Sequence, residues 1–240
     1  MAHLGLIKVL EELGITVSVM AGSSSGAIAG ALYGSGHTPE AITRIVRDIK
    51  PFSLIRPAVS RSGFLKMESA DLLYRQHIID DTFEALSIPL TIAATDLHSG
   101  KTVYFSEGPL IRPLMASTCI PVVFDPIEVN GRLYIDGGVL NNFPAEALVG
   151  QCDKIIGSHC NPVDEHFRSG NFKTILERTF LLSINANAYS RRGLCDIFIE
   201  PPLLKDFRVF DMARADEIFQ IGYDYARGQR DQLLALVESP

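Results

Sequence analysis

The feature that most constrains this chain is the pentapeptide Gly22-Ser23-Ser24-Ser25-Gly26, set where an apolar run, Ile15 to Ala21, gives way to a stretch of alanines and glycines. β-Branched residues before it and alanines after it suit a strand followed by a helix. A serine at such a junction occupies a sharp, strained turn, and glycines two residues to either side let neighbouring backbone come close. Ser24 is therefore the candidate nucleophile and Gly22 and Gly26 its supports. The positive end of the following helix, with the backbone N–H of Ser25, is the candidate oxyanion donor.

The same segment admits a rival reading. Ile15 to Pro39 holds no charged residue, and Gly22, Gly26, Gly30 and Gly34 recur every fourth position, as in a membrane helix that pairs through a glycine face. Against it, Ser18, Ser23, Ser24, Ser25 and Ser35 keep the hydropathy low, and the change of propensity at Gly22 favours a strand and then a helix. The glycine row then becomes a smooth helix face for close packing on a sheet.

A chain of 240 residues, 47% hydrophobic and 21% charged, has material for one large α/β domain. Its net charge of −6 argues against nucleic acid as a partner. Cys119, Cys152, Cys160 and Cys195 form no Cys-x-x-Cys pair, which argues against a metal site and for thiols in a reducing compartment. The first residues have neither a basic start nor a small-residue cleavage site, so a cytoplasmic protein is expected.

Helical spacing from Leu4 to Leu13 stops at Gly14, and Thr38 with Pro39 starts a helix that runs to Lys50. Phe52 to Lys66 reads as an irregular segment that could shape an acyl pocket; Glu68 to Ile79 reads as a helix with Leu72, Leu73 and Tyr74 inward. Strands Pro89 to Thr95 and Thr102 to Phe105 meet at Ser99-Gly100, and Val122 to Val129 and Leu133 to Ile135 flank the hairpin signal Asn130-Gly131. Strand Lys154 to Ser158, helix Phe172 to Arg191 with Leu181, Leu182, Ile184 and Tyr189 in the core, strand Asp196 to Ile199 and helix Ala213 to Val237 complete the pattern. Interleaved helices and strands without a linker or repeat predict one α/β domain over residues 1–240.

A serine hydroxyl needs a base within hydrogen-bond reach. Asp136 ends the apolar strand Leu133-Tyr134-Ile135 and is followed by Gly137 and Gly138, a turn where an acid can face a cleft. His159 is the other candidate, because the order Ser24, Asp136, His159 matches that of α/β-hydrolase triads. The residues alone leave both open.

Taken together, the motifs resemble the patatin-like phospholipases, lipid acyl hydrolases with a Ser-Asp dyad. The resemblance rests on His3-Leu4-Gly5-Leu6, the turn around Ser24, Thr95-Asp96-Leu97 with Gly100, Ala116-Ser117-Thr118-Cys119-Ile120-Pro121, and Asp136-Gly137-Gly138-Val139 with Asn141-Asn142 and Pro144. It implies a layered α/β/α fold with a mainly parallel central sheet and a serine elbow. It further implies Ser24 as nucleophile, Asp136 as base, Asp96 and Ser117 to Pro121 as supports of the cleft, and no metal or other cofactor. The implied substrates are phospholipids or other acyl esters, with peripheral membrane contact. The family's glycine-rich oxyanion loop and its strand have no counterpart ahead of Met1, so a chain truncated at its N-terminus is expected. Loss of one such donor costs about 3 to 4 kcal/mol of transition-state stabilisation, which makes a weak or inactive lipid-binding relative the alternative function. An incomplete sheet also points to self-association.

Overall fold

A computed structural model describes residues 1–48, 56–57, 65–121, 123–164, 166–167, 170–207 and 211–238. The chain opens with helix α1 (Ala2–Glu12), whose apolar stripe Leu6, Val9 and Leu10 is buried, and leaves it through Gly14 at φ +69°. The apolar run that follows yields only a short strand, β1 (Met20–Gly22), where a strand from Ile15 was expected. Its partner strand sets the limit: Met20 pairs with Leu90, and the residue before it there is Pro89, which has no N–H to continue a ladder. Helices α2 (Ser25–Gly34) and α3 (Pro39–Asp48) come next, with Thr38 Oγ1 accepting the N–H of Ala41 as the α3 cap. At 10 residues α2 is far too short to span a bilayer, and among the described residues no helix is long and apolar enough to cross a membrane.

Of the segment read as irregular, β2 (Arg56–Pro57) and β3 (Leu65–Lys66) form a short antiparallel pair; the acyl-pocket expectation otherwise lies outside the described residues. In α4 (Glu68–His77) Tyr74 is buried but Leu72 is 64% exposed, against expectation. The buried stripe is Ala70, Tyr74 and Ile78, four residues apart, which turns Leu72 to the opposite face.

Strands β4 (Leu90–Asp96) and β5 (Lys101–Phe105) form the first hairpin. After α5 (Ile111–Ser117), β6 (Ile127–Val129) and β7 (Arg132–Asp136) form the second, its Asn130-Gly131 turn at φ +50° and +76°. Among the described residues of the expected Val122 to Val129 strand, Ile127–Val129 pair with β7. Next come the short helix α6 (Gly138–Asn141), β8 (Ile156–Ser158), α7 (Phe172–Arg191) and β9 (Ile197–Ile199). The final helical stretch is two helices, α8 (Ala215–Gly228) and α9 (Arg230–Glu238), broken after Gly228, a residue poorly suited to a helix interior.

The α/β class stands and the five-stranded sheet is mixed: β1·β4 is parallel, β4·β5, β4·β7 and β6·β7 are antiparallel, and β8·β9 form a separate parallel pair. β4 is the hub. β5 pairs with it along Ile92 to Asp96, so β1, opposite Leu90 to Ile92, and β7, opposite Ala94 to Asp96, must share its other edge end to end. All seven residues of β4 are buried, and α2, α5 and α6 pack around it. A second cluster joins Leu6, Val9 and Leu10 of α1 to Ile199, Ala226 and Leu233. There α1 and α8 cross so closely that a Cβ on Gly5 would meet the backbone of Phe219 and Tyr223. α7 is less buried than expected: Ile184 is in the core, whereas Leu182 and Tyr189 are exposed.

Candidate active site

The shared edge of β4 brings together two residues 112 positions apart in sequence: Ser24 follows β1, Asp136 ends β7, and the two segments run toward each other at Ala93. Ser24 Oγ donates a hydrogen bond of 2.8 Å to Asp136 Oδ2. Ser24 sits at φ +50°, ψ −117° as the N-cap of α2, a backbone conformation that a non-glycine residue holds only when its surroundings force it. The surroundings do so through Ser117. The Ser24 N–H donates to Ser117 Oγ at 2.9 Å, and Ser117, fully buried, donates its own hydroxyl to the Ala93 carbonyl at 2.7 Å.

Asp136 is tied on every side. Its N–H donates to the Cys119 carbonyl at 2.8 Å, its carbonyl accepts from Thr95 Oγ1 at 3.0 Å, and Oδ1 accepts from the Gly138 N–H at 2.8 Å. The side chain is fixed with Oδ2 toward Ser24. Burial pushes its pKa from 3.8 up to about 6, against the hydrogen bonds from Ser24 and Gly138 that pull it down. A carboxylate so raised is ionised at neutral pH and a far better base than an exposed aspartate.

The supporting residues divide. A Cβ on Gly137 would collide with the Ala93 carbonyl, and one on Gly22 would lie 2.5 Å from the Gly26 carbonyl carbon, so both positions require glycine. Gly26 itself has nothing within 4 Å of where a Cβ would stand, so contact does not demand glycine there. Ser25 is exposed at the first position of α2, where its N–H has no intrahelical carbonyl to bond. Asp96, nearly buried, accepts from the His98 N–H, Ser99 and Arg132 Nε, which closes the β4–β5 turn and ties it to β7. Beside Met115 of α5 lies an open hollow of about 650 Å³ whose lining mixes Met67, Leu72 and Ile127 with two acids, Asp71 and Asp125, and two bases, Arg75 and Arg112.

His159 is not joined to this site. It is 2% exposed, its Nδ1 lies 2.7 Å from Glu200 Oε1, and its ring stacks on Phe198, whereas the hydroxyl of Ser24 is bonded directly to Asp136. The triad order in sequence was a coincidence of chain order. Glu200 could have been anticipated: β8 and β9 are parallel with Ser158 opposite Ile199, so the next residue on each strand, His159 and Glu200, fall side by side. Sequence reasoning also passed over the brace behind Asp136, where Asn141 Nδ2 donates to Tyr104 and Glu146, and Arg191 of α7 donates to the same Glu146 oxygen.

A strained serine at a strand-to-helix turn thus lies in direct hydrogen bond with an aspartate that ends a neighbouring strand. The patatin-like phospholipase family matches residues 1–149, and the chain belongs to that family. It is 37% identical over 152 residues to an uncharacterized NTE family protein of Mycobacterium tuberculosis, an alignment covering 62% of this chain and 42% of that relative. It is 24% identical over 275 residues to Lysophospholipase NTE1 of Kluyveromyces lactis, covering 94% of this chain and 18% of the other. Patatin-like phospholipase domain-containing protein 6 of Homo sapiens is 24% identical over 268 residues, again over 94% of this chain and 19% of its own length. The chain thus spans well under half the length of these relatives.

Proposed function

We propose that this protein is a lipid acyl hydrolase, of lysophospholipase or carboxylesterase type, that works through Ser24 and Asp136, with residues 1–240 acting as one patatin-like domain. The observation that carries the reading is the 2.8 Å hydrogen bond from Ser24 Oγ to a buried Asp136 whose carboxyl is raised to about 6. As Ser24 Oγ attacks the ester carbonyl, its proton passes to Asp136 Oδ2. The oxyanion meets the Ser25 N–H and the positive end of α2. Collapse expels the alcohol, which takes the proton back from Asp136, and leaves an acyl group on Ser24. Water then attacks the acyl-enzyme with Asp136 again as base, and free serine and a fatty acid result.

Lipid esters are the substrate class that family membership supports, and the names of the yeast relatives point to lysophospholipids. Hydrolysis of lysophosphatidylcholine and of a short-chain p-nitrophenyl ester, each run beside Ser24→Ala, tests the reading. Turnover that falls to background in the variant is the expected result. Equal rates in the two proteins would overturn it, and binding of lysolipid without turnover would make the protein a lipid binder instead.

A further inference from the structure

One cluster beside the serine turn has no part in the proton transfer. His3, in the first turn of α1, reaches two other segments: its Nδ1 lies 2.8 Å from Ser158 Oγ at the end of β8, and its Nε2 lies 3.4 Å from Ser25 Oγ at the start of α2. Cys160 Sγ lies 3.3 Å from Nδ1 and 3.2 Å from Nε2. The imidazole therefore stands between β8 and the residue directly after Ser24. Because Ser25 carries the N–H expected to meet the oxyanion, whatever fixes Ser25 fixes that donor.

We propose that His3 is a positioning residue for oxyanion stabilisation: bridged to Ser158, it holds the first residue of α2 so that the Ser25 N–H faces the ester oxygen. The inference rests on the reading of Ser24 as nucleophile and Ser25 as donor. With the Ser158 hydroxyl donating to Nδ1, the ring proton is on Nε2 and is donated to Ser25 Oγ. A neutral ring is needed for that pattern, since imidazolium has no acceptor nitrogen. Burial, the largest cause, lowers the His3 pKa to about 3 and raises that of Cys160 to about 11, so the pair remains imidazole and thiol across the working pH range. The link is placed to matter more in the transition state than in the ground state, because the donor it aims engages fully only when charge develops on the ester oxygen.

The test measures kcat and KM on a p-nitrophenyl ester for His3→Ala, His3→Gln, Ser25→Ala and the double variant His3→Ala/Ser25→Ala, with Ser24→Ala as reference. His3→Ala and Ser25→Ala should each lower kcat roughly ten- to a hundredfold with KM little changed, as expected when a reacting group is misplaced without loss of ground-state binding. Ser25→Ala keeps the backbone donor and removes only its anchor, so the double variant should be no slower than the slower single variant. His3→Gln, whose amide N–H can replace the Nε2 donor, should recover most of the rate. Affinity for a trifluoromethyl ketone that forms an oxyanion adduct should fall in step with kcat. Unchanged kcat in Ser25→Ala, or effects that multiply in the double variant, would overturn the proposal, and Ser25→Ala decides it even if His3→Ala fails to fold. Turnover surviving in Ser24→Ala would instead overturn the nucleophile reading beneath it.

Discussion

Replacing Asp136 with asparagine should stabilise the protein while silencing its chemistry. The side chain is nearly buried, and burial lifts its pKa from 3.8 to about 6 despite hydrogen bonds from Ser24 and Gly138. A rise of about two pH units corresponds to about 3 kcal/mol of differential interaction between the two protonation states. The raised folded pKa means that the folded state holds this proton more tightly than the unfolded chain. Its contribution to stability is complete below the unfolded pKa near 3.8 and is lost as pH rises through the folded pKa near 6. Above neutrality the ionised carboxylate therefore costs the wild type the full amount. An asparagine keeps the contacts, with Oδ1 accepting from the Gly138 N–H and Nδ2 donating to Ser24 Oγ, and buries no charge. D136N should exceed the wild type by about 3 kcal/mol at neutral pH. That is a rise in Tm of roughly 6–12 °C for a chain of this size. The advantage should fade on acidification from about pH 6 to about pH 4, the window between the two pKa values. Urea unfolding of both proteins across that range measures it. Equal stability at neutral pH, or an advantage that does not shrink in acid, would refute a buried charge as its source.

The same carboxyl sets the rate profile: kcat/KM on a p-nitrophenyl ester should show an acid limb with a midpoint near pH 6 and fall about tenfold per pH unit below it. A limb near 4 would mean that the free protein holds Asp136 in water. Gly137→Ala places a methyl against the Ala93 carbonyl and Ser23 Oγ and should destabilise by more than about 2 kcal/mol in urea unfolding, whereas Gly26→Ala, with open space at its Cβ, should be neutral or stabilise α2 by up to about 1 kcal/mol. Ser117→Ala removes the acceptor of the Ser24 N–H and the donor to the Ala93 carbonyl. Leaving those groups unpaired should cost about 2 to 4 kcal/mol of stability, and relaxation of the turn should slow kcat by about tenfold or more.

Elements with their own punctuation were legible in the sequence. Gly14 ends α1, Thr38 and Pro39 begin α3, and Asn130-Gly131 turns β6 into β7, each through backbone preferences that act locally. Strand ends were not legible, because a partner sets them: Ile15 to Val19 is as apolar as any strand, yet the ladder stops at Pro89, whose carbonyl accepts from the Met20 N–H but which has no N–H to give. Leu72 and Leu182 were assigned to the core on hydrophobicity, while the helix phase of their neighbours turns both outward. At the site, Ser24 and Asp136 could be singled out because a strained turn and an acid before two glycines leave local marks. Ser117 was marked only through the family resemblance, as a support of the cleft, and its role stayed hidden because its two hydrogen bonds join three segments that only folding brings together. His159 misled for the same reason, as chain order carries no distance.

The position of the dyad follows from a discontinuity in the sheet. Where β1 stops opposite Ile92 and β7 stops opposite Ala94, the edge of β4 passes from one strand to another, and the Ala93 carbonyl faces the break. A buried carbonyl without a partner is costly, and Ser117 supplies the missing donor. In doing so its hydroxyl oxygen is oriented to accept the Ser24 N–H, which fixes the strained turn beside the break. Gly137, with no side chain, lets the chain after β7 close over the same carbonyl, and that leaves Asp136 aimed at Ser24. One unmade ladder bond thus accounts for the strain at the serine, the burial of the aspartate and their contact. Repairing the break would remove all three together, so stability at this edge and the reactivity proposed for Ser24 are opposed.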